Sequence, residues 1–304
     1  MVEALPIRCD MIKVVQGVAT VHSVDKSPLK SKENDISTYS AKANGQTATD
    51  SSTVYTSATN SKVDYLFAKM DQQKRKQLKL DDISLFSVTE QRTADQVEKK
   101  KKDMTFCEST QITDLILGLP GVKRSTTPLI DGTACIGGNV ISFSSPDSFK
   151  KVWAVELDQK RFELLCHNIE VVWGSKESKN KVVCLKGDFV SMIQVKNKGI
   201  VSSSLHHLPL EGSVVYLDPP WGGPDYKKLK SVNLHLSGVT LSEICGLLRD
   251  RARYVVLKVP TNFDTLGFRR KVQLKGHAHV AVHRNFRKII IIVVDFFSDM
   301  VGGT

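Results

Sequence analysis

The chain has 304 residues, a formal net charge of +11 and 41% hydrophobic residues. That length fits one large domain, or one domain with extensions. The charge excess favours an anionic partner, nucleic acid first, with a generally adhesive basic protein as the plainer alternative. Six scattered cysteines, with no Cys-x-x-Cys and no zinc-like Cys/His spacing, argue against a disulfide scaffold or a structural metal and for a reduced intracellular protein. The longest apolar run, 289–294, is strand-sized, so no membrane association is expected. The N-terminus lacks a basic stretch followed by a long apolar core, so no secretory signal is expected.

Residues 1–61 are dominated by Ser, Thr, Lys, Asn and Asp. Such a segment buries too little apolar surface to offset its ordering entropy, which predicts a disordered tail. Residues 62–105 read as a helical extension, with Val63, Leu66, Phe67 and Met70 at helical spacing. The basic stretch Lys74-Arg75-Lys76 and Lys79 follow. Ser87 or Thr89 is placed to cap a helix ending at Lys99–Lys102. Those lysines suit a solvated helix end and its dipole, and phosphate contact is the sharper alternative.

Residues 106–304 alternate strands and helices. A helix carries Ile112, Leu115, Ile116 and Leu119. A strand over 128–130 enters the turn 131–139, Asp-Gly-Thr-Ala-Cys-Ile-Gly-Gly-Asn, and a helix with Val140, Ile141 and Phe143 follows. Strands over 152–155, 181–185, 214–217 and 254–260 come next, with helices around 162–169 and 241–248 between them. Stretches 271–282 and 288–297 read as two closing strands. This pattern predicts an α/β domain with a mainly parallel sheet and both faces covered.

Acids stand at the ends of successive strands: Asp131, Glu156 and Asp188. Helix capping or loop solvation explains any one of them; three in order suit nucleoside binding. Glycines such as Gly137 and Gly138 let backbone approach a ligand closely. An acid after the second strand can accept ribose hydroxyls, and one after the third an adenine amine, with Phe189 covering the base. The fourth strand runs into Asp218-Pro219-Pro220-Trp221, where two prolines end strand pairing and fix an acid and an aromatic at the strand end. Trp221 either packs in the core or presents a stacking face. Trp153 and Trp173 read as packing residues, Cys135 as packed rather than nucleophilic, and His206-His207 as a solvated loop. Asn262 either bonds a base or shapes a turn.

The turn is not Gly-x-Gly-x-x-Gly, so a nicotinamide fold is disfavoured. Three acids followed by Asp-Pro-Pro-aromatic resemble class I methyltransferases acting on exocyclic amines of nucleobases. Narrower still, residues 131–139 and Pro-Pro-Trp-Gly-Gly-Pro-Asp-Tyr (219–226) are similar to motifs of the trimethylguanosine synthases, as are 79–90, 259–264 and 284–297. The resemblance covers roughly 62–298. It implies a Rossmann-like sheet with an antiparallel last strand, preceded by a small helical extension that contributes to the cap site. S-adenosyl-L-methionine would lie against Asp131, Thr133, Gly137, Gly138, Asn139, Glu156, Asp188 and Phe189. Capped RNA is the implied partner and the nucleus the implied location. Asp218 and Pro219 would aim the guanine 2-amino group, and Trp221 would stack on a cationic 7-methylguanine. Asn262 and Lys79 would complete the substrate site. The chain departs from the family at Asp218, where animal members often have serine. It departs again at Thr261, where arginine is usual, so Lys79, Lys258 or a nearby basic residue is expected to meet cap phosphates instead. Methylation of an internal RNA or DNA amine, and a catalytically silent RNA-binding module, are the alternative functions.

Overall fold

The structure, a computed structural model, describes residues 53–56, 67, 70–84, 108–194, 208–274, 276, 278–286 and 288–297. Most of the expected tail, the helix ending at Lys99–Lys102, the 196–204 loop and His206-His207 lie outside the described residues.

The elements in chain order are α1 (Gln72–Gln77), α2 (Glu108–Leu117), β1 (Leu129–Asp131), α3 (Gly138–Phe143), β2 (Val152–Glu156), α4 (Gln159–Trp173), α5 (Ser175–Lys181), β3 (Val182–Lys186), α6 (Phe189–Gln194) and β4 (Val214–Leu217). A 3-10 helix (Pro224–Lys228), β5 (His235–Leu236), β6 (Val239–Thr240), α7 (Leu241–Leu248), β7 (Tyr254–Pro260), α8 (Thr265–Leu274), β8 (His279–His283) and β9 (Ile289–Asp295) follow. Seven strands form one sheet in the order β3-β2-β1-β4-β7-β9-β8. β1, β2, β3, β4 and β7 pair in parallel, and β9 is antiparallel to both neighbours. This is the mainly parallel α/β sheet that the sequence pattern predicted and the class I, Rossmann-like arrangement that the resemblance implied.

Side-chain alternation divides the core between the two faces of the sheet. Val215 and Leu217 of β4, with Val255, Leu257 and Val259 of β7, join the layer that receives α6, α7 and α8. Val214, Tyr216, Tyr254 and Val256 face the opposite layer, against α2, α3 and α4. Strands buried on both sides need continuous apolar runs, which is why 254–260 and 289–295 are legible as strands. α7 starts where Thr240 and Glu243 form a reciprocal capping box.

One expectation is corrected here. Residues 271–274 belong to α8, and the closing strand β8 spans only His279–His283. Phe268 and Val272, four apart, bury one helical face against the sheet, and that periodicity outweighs strand propensity.

The described part of the N-terminal extension holds a third, smaller cluster. Leu78 and Leu80 are fully buried against Ile136, Leu164 and Val172, worth roughly 1.5–3 kcal/mol each. Asn168 of α4 locks the segment in place, accepting from the Lys79 N–H (2.8 Å) and donating to the Lys79 carbonyl (2.9 Å). α1 begins at Asp71, whose carboxylate accepts from the N–H groups of Gln73 and Lys74.

Candidate active site

β1 and β4 are neighbours, yet the chain leaves β1 for β2 on one side while β7 continues the sheet on the other. A crevice opens at such a reversal of strand order, beyond the carboxyl ends of the strands. Asp131 and Asp218 stand there.

Asp131 is 1% exposed. Its Oδ1 accepts from the Thr133 N–H at 3.0 Å, while its Oδ2 is buried without a hydrogen-bond partner. Burial pushes its carboxyl up to about 7; Asp218 and Glu156 add to the rise and the Thr133 N–H opposes it. Thr133 ties the two strand ends together, because its Oγ1 accepts from the Asp218 N–H at 2.7 Å. Gly132 allows the turn to close: a Cβ there would lie 2.6 Å from Leu217 and 2.8 Å from Phe189. Gly137 adopts a φ of 97° at the start of α3, a backbone region that favours glycine. A Cβ on Gly138 would meet nothing within 4 Å. Asn139 turns its amide to the buried Tyr216 hydroxyl at 3.2 Å.

Glu156 and Asp188 are more fully engaged. Glu156 accepts from the N–H groups of Cys135 (2.9 Å) and Asp158 (2.7 Å), and Arg161 Nε lies 3.5 Å away. Arg161 also reaches Asp81 at 3.8 Å, and Asp81 takes both the N–H and the hydroxyl of Ser84. The docked segment thus joins the Glu156 cluster. Asp188 caps α6, accepting from the N–H groups of Val190 (3.1 Å) and Ser191 (3.3 Å) and from the Ser191 hydroxyl (2.7 Å), and it takes a further bond from Ser237 (2.6 Å). Capping, the plainer of the two roles expected of it, is present in the geometry. Phe189 is 2% exposed and belongs to the core layer against Gly132 and Leu217. That position corrects the expectation of a base-covering ring, since hardly any face remains to be covered. Cys135 is packed as expected, and burial pushes its thiol up to about 11, which keeps it protonated at neutral pH.

At the end of β4, Trp221 packs partly against both core layers, edge-on to Tyr226 with ring centroids 5.2 Å apart. Its indole N–H is buried without a partner. Asn262 shapes the adjoining loop: its amide donates to the carbonyls of Tyr226 and Leu229, both at 2.8 Å, and its Oδ1 is buried without a partner.

Lys258 departs most from expectation. Its Nζ lies 3.0 Å from Asp218 Oδ2 and 3.0 Å from Glu108 Oε1, with the lysine side chain 14% exposed. A lysine so enclosed is not placed to meet a cap phosphate. Burial works against its charge, but Asp218 and Glu108 together hold its ammonium above the usual lysine range. Burial likewise raises the Asp218 carboxyl, Lys258 pulls it back, and Glu108 adds to the rise. The signal was present in the sequence as one lysine inside an otherwise apolar central strand. Glu108, which opens α2 far away in the chain, carried no signal. Lys79 has an exposed side chain, as a phosphate contact requires. Among the described residues no His/Cys/Asp/Glu cluster suits a metal, and no helix is long and apolar enough to cross a membrane.

A family model described as RNA cap guanine-N2 methyltransferase matches residues 126–296. The chain belongs to that family. The stretch matched by the cap guanine-N2 methyltransferase model contains all seven strands of the main sheet and the 218–226 motif, and it leaves out Glu108 and the docked segment 70–84. An uncharacterised protein of Acanthamoeba polyphaga mimivirus is 29% identical over 147 residues, covering 48% of this chain and 50% of that protein. The trimethylguanosine synthase of Schizosaccharomyces pombe is 27% identical over 141 residues, covering 45% of this chain and 51% of the synthase. The chain thus spans about half the length of the curated relatives it matches. Among solved structures, a human methyltransferase 10 domain containing protein aligns at 14% identity and a TM-score of 0.39, over 62% of this chain and 80% of the other. The N-terminal domain of human METTL16 in complex with SAH aligns at 14% identity and a TM-score of 0.40, over 62% and 68%.

Proposed function

We propose that this chain methylates the exocyclic 2-amino group of guanine in a 7-methylguanosine RNA cap, with S-adenosyl-L-methionine as methyl donor. The observation that carries the reading is that Asp218, just past the end of β4 and three residues before Trp221, is tied through Thr133 to Asp131 at the end of β1. It puts a hydrogen-bond acceptor and an aromatic ring beside a site suited to a cationic cofactor.

The residues fit the cofactor. The buried, unpartnered Oδ2 of Asp131 suits a positively charged group. Gly137 and Gly138 leave the backbone approachable, and Thr133 and Asn139 flank them. Glu156 has lone pairs left for ribose hydroxyls, since a carboxylate offers about four acceptor sites. Asp188 reaches an adenine amine by exchanging the Ser237 hydroxyl for it. The cofactor supplies an electrophilic methyl group on sulfonium.

A 7-methylguanine ring is cationic, and tryptophan is the best aromatic partner for a cation. Trp221 grips that ring while Asp218 and the Pro219 carbonyl accept hydrogens of the 2-amino group and aim its lone pair. Held this way, the amine would present its lone pair to the sulfonium methyl group, and the proton the nitrogen sheds after transfer would pass to solvent. No base is needed before transfer, so catalysis rests on orientation. Lys79, whose side chain is exposed, is the basic residue we assign to the cap phosphates.

Incubation with a 7-methylguanosine cap dinucleotide and labelled cofactor tests the reading. Label on the guanine 2-amino nitrogen supports it. Label only on uncapped RNA or DNA overturns it in favour of an internal amine, the reading that aspartate at position 218 resembles. Absence of cofactor binding by calorimetry overturns it in favour of a silent RNA-binding module.

A further inference from the structure

Lys258 is the one charged residue of β7, a strand otherwise apolar. A lone ammonium there is costly unless it is paired. One acid would suffice for that. The structure supplies two, Glu108 from the start of α2 and Asp218 from the end of β4, each at 3.0 Å. Asp218 is held at a second point as well, since its N–H donates to Thr133. With Oδ2 on Lys258 and the backbone on Thr133, Oδ1 is the carboxylate oxygen left for a ligand.

We propose that Lys258, itself held by Glu108, is a positioning residue that fixes Asp218 with Oδ1 turned to the methyl-accepting amine and keeps that carboxylate ionised. The inference rests on the function proposed above. An amine presents N–H donors, and an ionised carboxylate accepts them. A protonated carboxyl is a weaker acceptor and can turn an O–H donor toward the same edge. The charged or titratable groups facing Asp218 are Lys258 on β7, Glu108 on α2, Asp131 on β1 and Tyr216 on β4. Lys258 alone among them is a cation, so removing it leaves Asp218 among like charges and favours its protonated form. Glu108 works in the opposite direction on Asp218 directly, and it indirectly keeps Lys258 charged and in place.

The test compares wild type, Lys258→Met, Lys258→Arg and Glu108→Gln as full chains. Single-turnover transfer to the cap dinucleotide is followed against pH, with cofactor affinity measured separately by calorimetry. Lys258→Met is expected to lower the rate about a hundredfold at pH 7 and to move the acid limb of the profile up by about one to two pH units. Its cofactor affinity is expected to stay within about threefold of wild type. Lys258→Arg keeps the charge and the wild-type acid limb, whereas Glu108→Gln moves that limb down. An unchanged limb in Lys258→Met, or equal rate losses in the Met and Arg variants, overturns the positioning role. If wild type transfers no methyl group to the cap, the proposed function fails by itself. Carbon-13 NMR titration of the Asp218 carboxyl in wild type and Lys258→Met then decides the inference. A higher midpoint in the variant supports it and an equal midpoint overturns it.

Discussion

Four acids end four neighbouring strands, and the outer pair lives differently from the inner pair. Glu156 and Asp188, beyond β2 and β3, take several backbone N–H groups and hydroxyls, from their own loops and helices and, for Glu156, from the turn after β1. Beyond β1 and β4, Asp131 takes only Thr133 of its own loop, on one oxygen, and the Asp218 carboxylate takes no such group. One keeps a buried oxygen without a partner, and the other is held by a lysine from a third strand. Local satisfaction stabilises the fold whether or not a ligand is present. Incomplete satisfaction in the crevice costs stability and leaves binding capacity for a ligand, which is where function is expected to break local rules.

The sharpest way to break this comparison is at Asp218 and its neighbour. Asp218→Asn leaves the Lys258–Glu108 pair intact, so the fold is expected to hold. One acceptor becomes a donor facing the amine. The transfer rate is expected to fall about 100- to 1,000-fold, with cofactor affinity within about threefold. Trp221→Ala is expected to lower kcat/KM for the capped substrate about a hundredfold, again sparing cofactor binding. Near-normal turnover in that variant would remove the stacking role. Both are read by single-turnover assays beside calorimetry.

Asp131 offers a pH test of intermediate size. Its carboxyl is pushed to about 7 in the folded chain, against 3.8 as its ordinary value. The folded state therefore binds the proton more tightly than the unfolded state. Its contribution to stability is lost as pH rises from about 4, and the loss is complete above about 7. Asp131→Asn removes this titration. Between pH 5 and pH 8 the Tm of wild type is expected to fall relative to the variant by about 2–6 °C. A bound cation relieves the strain by ionising Asp131, so cofactor binding near pH 7 is expected to release protons in wild type and none from this site in the variant. Calorimetry in buffers of different ionisation enthalpy reads that release. Parallel Tm curves would show that Asp131 does not titrate in this range.

What the sequence disclosed follows the range of the interactions. β4 is a continuous apolar run with prolines just beyond it, β7 is one broken only by Lys258 and closed by a proline, and α7 carries its own capping box, so local chemistry announces each of them. The order of acids at strand ends is likewise local to each strand. Long-range pairings had no such mark. Lys258 was visible as an odd residue but not its two partners, so a phosphate seemed its natural target. Arg161 and Asp81 meet only because Leu78 and Leu80 dock on α4. Phe189 follows Asp188 in sequence, yet its ring lies in the core, where the missing Cβ of Gly132 leaves room for it. Ser237 reaches Asp188 from a hairpin turn, with φ of 51° at Ser237 and 78° at Gly238. A two-residue turn with both φ positive is a hairpin signature that strand propensity over two-residue strands does not reveal.

The smallest expected effect separates the two roles that coexist at Asp188. Its carboxylate caps α6 and also stands where an adenine amine would reach it. Asp188→Ala removes the cap and the Ser237 bond, for about 1 kcal/mol and a Tm lower by about 2–4 °C. Asp188→Ser restores a capping oxygen on a shorter side chain that carries no charge. If the acid also grips the cofactor, Asp188→Ser is expected to recover the Tm while its cofactor affinity stays about three- to tenfold weaker, as in Asp188→Ala. If affinity returns with the Tm, Asp188 serves α6 alone. The adenine end of the site would then depend on Glu156 and the glycine turn, and the contrast between outer and inner acids would become one between structural and functional residues.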